Sequence, residues 1–432
     1  MFFLFAMISF VTNLAAPIGT IWKNQYEWSG MLGNMMNFLA YLFMGIPAGN
    51  MLLRIGYKKT ALIAMIVGIV GLFFQWLSGR VGADVMIGNI ASLNLFIYLL
   101  GAFICGFCVC MLNTVVNPML NLLGGGGNTG NQLVQAGGTF NSLAGTLTPL
   151  FVGMLIGQVT AQTSMLDVAP LLYIAMGVFV VAFIIISAVK IPEPHLMKKT
   201  DKKVKFTHSP WSFRHTVLGV IAIFFYVGAE VGIPAELIFF LSDSEASGIT
   251  GNAAAIAGGV AAVYWLLMLV GRVISSIISG KVSSRTQLLV ASTAAICLVI
   301  TAIVMPADIT ITLPAYSTAD GFSTAQVPAK ALPLVLCGLC TSVMWGGIFN
   351  LAVEGLGKYT AQASGIFMMM VVGGGIMPFI QNVIANASTY MASYWLVVAM
   401  FGYILFYAVA GSRNVNKDIP VDDIDAPSPL DL

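Results

Sequence analysis

The stretch Gly49-Asn50-Met51-Leu52-Leu53-Arg54-Ile55-Gly56-Tyr57-Lys58-Lys59 joins two long apolar segments of the chain. Residues 28–53 and residues 60–79 carry no charge. Each segment has the length of about 20 residues that a helix needs to cross the hydrocarbon core of a bilayer. Charged side chains are costly inside a bilayer, so the basic residues between the segments mark where the chain leaves it. This stretch predicts two membrane-spanning helices that are joined by a short basic turn.

The composition of the whole chain extends this interpretation. The chain has 432 residues, of which 58% are apolar and 8% are charged, whereas soluble domains carry about 25% charged residues. The apolar content is sufficient for about twelve spans of roughly 20 residues each. The net charge of +2 is too small to indicate nucleic-acid binding. The composition predicts an all-α protein embedded in the lipid bilayer and excludes an ordinary soluble enzyme.

The gaps between charged residues predict twelve spans, which are numbered in chain order. The first six occupy 1–22 (span 1), 28–53 (span 2), 60–79 (span 3), 85–166 (spans 4 and 5, joined at the glycine-rich residues 124–130) and 168–189 (span 6). The last six occupy 216–241 (span 7), 246–271 (span 8), 286–307 (span 9), 331–353 (span 10) and 359–412 (spans 11 and 12, joined at 386–388). Of these segments, 216–241 contains charged residues, Glu230 and Glu236.

The basic residues are distributed unevenly between the two sides of the predicted spans. One side receives Lys23, Arg80 and Lys330. The side with both termini receives Arg54, Lys58, Lys59, Lys190, Lys198, Lys199, Lys202, Lys203, Lys205, Arg214, Arg272, Lys281, Arg285, Lys358, Arg413 and Lys417. Because loops rich in Lys and Arg remain in the cytoplasm, both termini are expected there, and the expected location is the inner membrane.

A basic segment divides the spans into two sets of six. Residues 190–214 contain seven of the basic residues. The expected organisation is therefore an N-terminal six-helix bundle over 1–189, a cytoplasmic linker over 190–214 and a C-terminal six-helix bundle over 215–412. The linker is interpreted as a flexible connection that carries orientation charges, with contact to lipid headgroups as the alternative. Residues 413–432, rich in aspartate and proline, are predicted to be a disordered cytoplasmic tail.

Similar short sequences in corresponding spans indicate that the two halves are related. Gly138-Thr139-Phe140-Asn141 in span 5 corresponds to Ser364-Gly365-Ile366-Phe367 in span 11. Parallel halves of this kind are typical of major facilitator transporters. The fold expected from this pattern is two six-helix bundles that rock around a central site.

The turn at residues 49–59 resembles the signature of the major facilitator superfamily, G-x-x-x-D-R-x-G-x-[RK]-[RK], with Leu53 in place of the aspartate. The matching residues are Gly49, Arg54, Gly56, Lys58 and Lys59. We expect the small residues to allow close helix packing. We expect the basic side chains to bond the carbonyl groups at helix ends.

Further segments resemble the fucose–galactose–glucose:proton symporter family. They are Asn37 to Gly49, Asn113-Thr114-Val115-Val116-Asn117-Pro118, Gln135 to Leu143, Tyr226 to Val231, and Gly355-Leu356-Gly357-Lys358. These segments follow one another along both halves, so the resemblance covers nearly the whole chain. It implies uptake of a hexose or deoxyhexose together with a cation.

The resemblance also suggests residues for the sugar site. It implies acidic residues in spans 1 and 4, where this chain has Asn13 and Asn113. The family's asparagine in span 5 is present as Asn141, and Asn37 lies in a matching segment. These four residues are predicted to bind the substrate. Because asparagine does not ionise, cation coupling is expected elsewhere in the chain.

Two acidic residues of span 7 are the candidates for cation coupling. An ionisable residue inside a membrane span indicates a function by default. Glu230 lies deep in the span, where desolvation favours a protonated carboxyl, as a proton carrier requires. A structural partner for a polar group in another helix is the alternative for Glu230. Glu236 lies beyond Pro234, nearer the outer surface, which suits a gate or a cavity wall as well as coupling.

Amide and indole groups complete the predicted substrate site. Asn113, Asn117 and Asn121 repeat every four residues, so they share one face of span 4. An amide both donates and accepts hydrogen bonds, which suits sugar hydroxyls, but asparagine also joins helices in membranes. Trp345 of span 10 is a candidate stacking platform or a packing residue. Gln381, next to Asn382 in span 11, is a further candidate.

The sequence therefore predicts a secondary transporter for a monosaccharide (a hexose, deoxyhexose or amino sugar), driven by proton or sodium symport. The alternatives are transport of another small polar metabolite and uncoupled sugar uniport. An intramembrane enzyme would need clustered His, Asp or Glu residues, whereas the three histidines lie in or beside the linker. The six cysteines lie in apolar runs and are interpreted as packing residues. We expect no metal, no cofactor and a monomeric chain.

Overall fold

The structure is a computed structural model that describes residues 1–14, 18–19, 21–22, 25–26, 29, 32–156, 163–193, 196, 208–249, 253–306, 308–317 and 321–421. The predicted linker residues 194–195 and 197–207, including His195 and five of the orientation lysines, lie outside this part. Lys23 and the tail from residue 422 also lie outside it.

The N-terminal half contains the six predicted spans. Its helices are Phe2–Asn13 in span 1, Leu32–Ser78 for spans 2 and 3, Leu93–Leu123 for span 4, Gly127–Ile156 for span 5 and Ala169–Ala188 for span 6. The predicted join between spans 4 and 5 at the glycine-rich residues 124–130 is confirmed.

The C-terminal half contains the other six spans. Its helices are Arg214–Ser242 for span 7, Ala253–Ile278 for span 8, Ser284–Val304 for span 9, Ala331–Thr341 and Met344–Val353 for span 10, Thr360–Met369 and Gly373–Ala387 for span 11, and Tyr390–Phe406 for span 12. In the described residues, nine helical stretches are long and apolar enough to cross a membrane, and the first contains spans 2 and 3 together.

Spans 2 and 3 are two helices that meet at Gly56 within the 47 residues Leu32–Ser78. Gly56 has a φ of 86°, which is a left-handed conformation that favours glycine. The following N–H groups of Tyr57 and Lys58 donate to the carboxylate of Glu193, which lies just beyond span 6. The Gly56 of the signature therefore allows the turn, and Glu193 caps the first amides of span 3.

The alternation of the spans creates two faces. The face that carries Met1, the turn at Gly56 and Arg413 is named the termini face. The opposite face carries an antiparallel hairpin of β1, Thr310–Ser317, and β2, Gly321–Pro328, and is named the hairpin face. The hairpin was not predicted from the sequence, because gaps between charged residues locate membrane spans and give no information on strands between them.

The two halves come into backbone contact where spans 2 and 11 cross. A Cβ atom built on Gly365 would lie 2.5 Å from the carbonyl oxygen of Gly45 and 2.8 Å from the Cα of Gly49. A Cβ atom built on Gly49 would lie 2.8 Å from the carbonyl oxygen of Ala361. These glycines therefore let the two helices approach closely, as small residues do between membrane helices.

Large apolar side chains cover the outside of the molecule. Phe43, Phe379 and Trp395 are each more than half exposed. Such an exposed apolar surface indicates contact with lipid. Polar groups are instead concentrated between the helices, where the candidate site lies.

Candidate transport site between the two halves

The centre of the site is an ion pair between spans 7 and 8. The Nη2 atom of Arg272 lies 3.2 Å from Oε1 of Glu230. The two side chains are only 10% and 14% exposed, respectively. Each charge is thus removed from solvent and neutralised by the other. Between residues that the structure describes, this is the one ion pair.

Arg272 also connects the two halves. Its Nη1 atom donates to the Ser142 hydroxyl at 2.7 Å and to the Gly138 carbonyl at 3.2 Å, and both acceptors belong to span 5. The assignment of Arg272 to a loop was therefore wrong. The predicted span 8 ends at residue 271, because the charge of Arg272 marks a boundary in that prediction. In the structure the helix continues to Ile278.

Aromatic hydroxyl groups surround the ion pair. Tyr264 of span 8 donates to the backbone carbonyl of Glu230 at 3.3 Å and lies 3.0 Å from the Thr341 hydroxyl of span 10. Tyr226 is one helical turn before Glu230, and its buried hydroxyl has no hydrogen-bond partner among the described residues. The Tyr226 ring lies 6.3 Å from the Trp345 ring, measured between centroids. The ion pair and Trp345 therefore belong to one site.

A chain of amides joins span 4 to this site. Asn113 donates to the Tyr41 hydroxyl at 2.9 Å. Asn117 donates to the Asn113 carbonyl at 2.9 Å, and its own Oδ1 accepts from the Trp345 indole at 3.0 Å. Asn117 is fully buried. The contact between Asn117 and Trp345 links the two halves.

The other predicted substrate residues of the N-terminal half, Asn13, Asn37 and Asn141, lie apart from the amide chain. Asn141 donates to the Phe5 carbonyl at 3.0 Å and so joins spans 5 and 1. Asn13 donates to the Ser9 carbonyl of its own helix at 2.8 Å. Asn37 is buried, and its Oδ1 has no hydrogen-bond partner among the described residues. The structure does not bring these three side chains into hydrogen-bond contact with Asn113 or Trp345.

The second acidic residue of span 7 belongs to a separate group between spans 7 and 11. Glu236 is 2% exposed, and its Oε2 accepts a 3.4 Å hydrogen bond from the Asn382 amide. Gln381 is completely buried. A Cβ atom built on Gly232 would lie 2.5 Å from the Gln381 Oε1, so Gln381 packs against span 7. Gln381 therefore lies, like Glu236, at the contact of spans 7 and 11. It is apart from the chain of Asn113, Asn117 and Trp345.

The signature residues have different surroundings. Lys58 donates to the Ser187 and Val189 carbonyls at 2.8 Å each, as expected for a basic side chain at a helix end. Arg54 and Lys59 are exposed. Leu53, at the position of the usual aspartate, is buried at 4% exposure. Burial lowers the solvation of the nearby Glu193 carboxylate and raises its pKa above the ordinary value, although the amides of Tyr57 and Lys58 oppose this effect.

Hydrogen bonds close the site toward the termini face. They join Asn121 to Asn350, Asn131 to Ser279, Gln135 to the Val343 carbonyl, and Ser364 to the Thr114 carbonyl. In the described part of the chain, every hydrogen bond between the two halves lies between the middle of the spans and the termini face. The conformation is therefore closed at the termini face.

Sequence reasoning missed the partners of the predicted residues. Arg272 and Ser142 became visible as site residues only when spans 5, 7 and 8 were placed together. The sequence nevertheless contained a signal for Arg272. This residue directly follows the charge-free segment 246–271, and residues 273–280 after it are again uncharged. No comparable signal identified Ser142, since a serine inside a span is common.

Two six-span bundles that meet at a buried polar site and close on one face define a multi-pass membrane transporter. The chain belongs to the Major Facilitator Superfamily, because the sequence model of that family matches residues 1–379. It is 30% identical to a glucose/galactose transporter of Brucella abortus over 96% of this chain and 93% of that protein. It is 21% identical to the L-fucose-proton symporter of Escherichia coli K12, over 96% and 92% of the two chains.

A solved structure has the same fold. The crystal structure of the Major Facilitator Superfamily transporter FucP in the outward conformation has a TM-score of 0.74 to this chain. The two chains are 19% identical, and the match covers 96% of this chain and 99% of the other. The arrangement of twelve spans in two bundles is therefore confirmed.

Proposed function

We propose that this protein is a secondary active transporter that imports a monosaccharide by symport with a proton or sodium ion. The substrate class is a hexose, deoxyhexose or amino sugar. The relatives named for glucose, galactose and fucose transport support this class. The protein works as a monomer in the inner membrane, with the termini face toward the cytoplasm. The excess of basic residues at that face supports the orientation.

The observation that carries the proposal is the polar group between the halves. Asn113, Asn117, Trp345, Glu230 and Arg272 come from four spans and meet in the interior. Amides and charged side chains bind hydroxyl groups, and an indole ring can stack on the C–H face of a sugar. Such groups are costly inside a membrane protein unless they have a function.

The contacts between the halves provide a mechanism for alternating access. In the present conformation the termini face is closed, so the substrate enters from the hairpin face. Opening toward the cytoplasm must break the Arg272–Ser142 and Trp345–Asn117 hydrogen bonds. Both bonds involve residues of the proposed substrate site. Sugar binding can therefore change the stability of the closed face directly, because the same side chains serve both purposes.

Glu230 connects the cation to this movement. Its carboxylate is neutralised by Arg272, which also holds span 5. A proton or sodium ion that competes for the carboxylate weakens its bond to Arg272 and leaves the guanidinium free to rearrange. We propose that Glu230 acts in coupling through this competition, and that Asn13, Asn37 and Asn141 shape the N-terminal wall of the pathway.

Ligand-induced stabilisation of the purified protein tests the substrate class. A ligand at 100 times its Kd adds about 2.7 kcal/mol to the stability of the state that it binds. We expect one or more hexoses, deoxyhexoses or amino sugars to raise the unfolding temperature in detergent, while a matched panel of amino acids and organic acids does not. Stabilisation by a non-sugar metabolite alone would replace the proposed substrate class.

A further inference from the structure

The carboxylate of Glu236 is buried, and no charged side chain among the described residues pairs with it. It is 2% exposed, and its Oε1 has no hydrogen-bond partner among the described residues. Within the described ranges, Oε2 accepts one hydrogen bond, the long 3.4 Å bond from Asn382. Glu230, by contrast, has its charge balanced by Arg272. Of the two acidic residues in span 7, Glu236 is thus the one that requires a cation from outside the protein.

Gln381 supplies a second oxygen beside this carboxylate. It is completely buried, and both its Oε1 and its Nε2 have no hydrogen-bond partner among the described residues. Its Oε1 packs at Gly232, which is one helical turn before Glu236 and therefore on the same face of span 7. The neighbouring Asn382 already reaches the Glu236 carboxylate. Two unpartnered polar groups, the Glu236 carboxylate and the Gln381 amide, thus lie at the same contact between spans 7 and 11.

The size of this group restricts what can bind there. Glu236 and Gln381 are both at least 98% buried, between helices that pack against each other. Such a place does not admit a monosaccharide in the present conformation. A proton or a small ion bound there would satisfy an unpaired carboxylate in a medium that penalises bare charge.

The neighbouring titratable groups do not supply a positive charge. On span 12, Tyr394 donates to the Ile233 carbonyl at 2.9 Å, and Tyr390 donates to Asp243 at 3.1 Å. Asp243 follows span 7 and is acidic. Lys330, at the start of span 10, lines a cavity of about 300 Å³ with Tyr390 at the hairpin face, but it makes no ion pair with Glu236.

We propose that Glu236, with Gln381 and Asn382, forms a monovalent-cation site that is separate from the Glu230–Arg272 pair. Whether the cation is a proton or sodium, it binds the Glu236 carboxylate, and the Gln381 carbonyl oxygen is its neighbour. A proton makes Glu236 a donor toward an oxygen acceptor, whereas sodium is bound by the oxygens themselves. This inference rests on the proposed function, because it adds a second cation site, besides the Glu230 carboxylate, to an importer that a cation drives.

Unfolding temperatures of the purified full-length protein without sugar test the site. Sodium is titrated against choline at constant ionic strength and mildly alkaline pH, and a second series lowers the pH in choline alone. The variant is Glu236→Gln, and the matched control is Glu245→Gln, whose side chain is exposed. We expect sodium or acidification to stabilise the wild type and the control. In Glu236→Gln we expect the sodium response to be lost, or the acid response to fall to the part that Glu193 contributes in every sample. A sodium response identifies sodium, and a response to acid alone identifies the proton.

A second variant keeps the test decisive if Glu236→Gln does not fold. Gln381→Met removes the neighbouring oxygen without changing any charge, and it should raise the half-saturating sodium concentration or lower the pH midpoint. The same cation response in the wild type and in both variants would overturn the site. So would an unchanged midpoint in Gln381→Met when Glu236→Gln cannot be purified.

Sugar-induced stabilisation of the same samples separates this inference from the proposed function. A cation response that depends on Glu236 supports the site even if no sugar stabilises the protein, in which case the substrate class fails. Stabilisation by a sugar together with a cation response that ignores Glu236 overturns the site and leaves sugar binding intact.

Discussion

The guanidinium of Arg272 lies 3.2 Å from the carboxylate of Glu230 and donates to Ser142 of span 5 at 2.7 Å. One side chain therefore neutralises a buried charge of its own half and holds the other half. Because both contacts are removed from water, their loss lowers the free energy of unfolding more than the loss of a surface ion pair does.

Replacement of Arg272 by glutamine should destabilise the closed conformation strongly. The change leaves Glu230 buried without its partner, and breaking a buried pair in this way costs about 3 to 5 kcal/mol. The double variant Glu230→Gln/Arg272→Gln should recover much of the loss, since no uncompensated charge remains. Thermal unfolding in detergent measures both effects. A double variant no more stable than Arg272→Gln would show that the pair is not the cause.

Replacement of Trp345 by phenylalanine should weaken the contact between the halves. The indole N–H donates to the fully buried Asn117, and leaving that acceptor unpaired costs about 1 to 3 kcal/mol. Trp265→Phe is the control, because Trp265 is 41% exposed. Labelling of a cysteine placed at the termini face should become faster in Trp345→Phe alone. Equal labelling of the two variants would contradict the assigned role.

Replacement of Gly365 by alanine should separate spans 2 and 11. The added Cβ would lie 2.5 Å from the Gly45 carbonyl oxygen, and overpacking of this kind costs about 1 to 3 kcal/mol. Gly402→Ala is the matched control, because nothing lies within 4 Å of a Cβ at that position. We expect a lower unfolding temperature and slower exchange of labelled sugar in Gly365→Ala. A loss of equal size in the control would point to a general effect of glycine substitution.

Asn113→Ala and Asn141→Ala are expected to weaken sugar binding by about 1 to 3 kcal/mol each, the cost of an unsatisfied polar partner. The structure provides a control for Asn113, because its amide donates to the Tyr41 hydroxyl. Tyr41→Phe removes that contact and keeps the amide. Calorimetry should show weaker binding in Asn113→Ala and near wild-type binding in Tyr41→Phe. Wild-type affinity in both alanine variants would show that the two asparagines only form hydrogen bonds between helices.

Glu193 should make the stability of the termini face depend on pH. Partial burial raises its folded-state pKa above the ordinary 4.5. The stabilising contribution is therefore complete below the unfolded-state pKa and is lost as the pH rises through the folded-state pKa. Glu193→Gln should flatten this decline, while Glu245→Gln should not. The unfolding temperature measured across the acidic pH range is the readout, and identical pH profiles in the two variants would contradict the prediction.

The membrane spans could be predicted because a bilayer imposes a simple rule on charge and length. The gaps between charged residues located all twelve spans, and the basic turn at Gly56 was confirmed as the break between spans 2 and 3. The same rule failed at Arg272, because a charge that is neutralised inside the protein does not mark a boundary. Burial of a charge depends on its partner, which sequence position alone did not reveal.

The partners within the site depend on contacts between distant parts of the chain. The depth of Glu230 followed from the apolar residues before it, but Ser142 and Arg272 are far from it in sequence. The shared face of Asn113 and Asn117 followed from helical spacing, whereas the bond from Trp345 required the packing of span 10 on span 4. The separation of Gln381 from that group likewise required the position of span 11.

Uphill accumulation of labelled sugar in proteoliposomes measures cation-driven sugar import itself. The vesicles contain no sugar, and an inward proton gradient or an inward sodium gradient is imposed separately, with an ionophore that dissipates each gradient as control. We expect at least one hexose, deoxyhexose or amino sugar to exceed its external concentration under one of the gradients, and we expect the ionophore to abolish this excess. Sugar that equilibrates without ever exceeding the external concentration under either gradient would contradict this expectation.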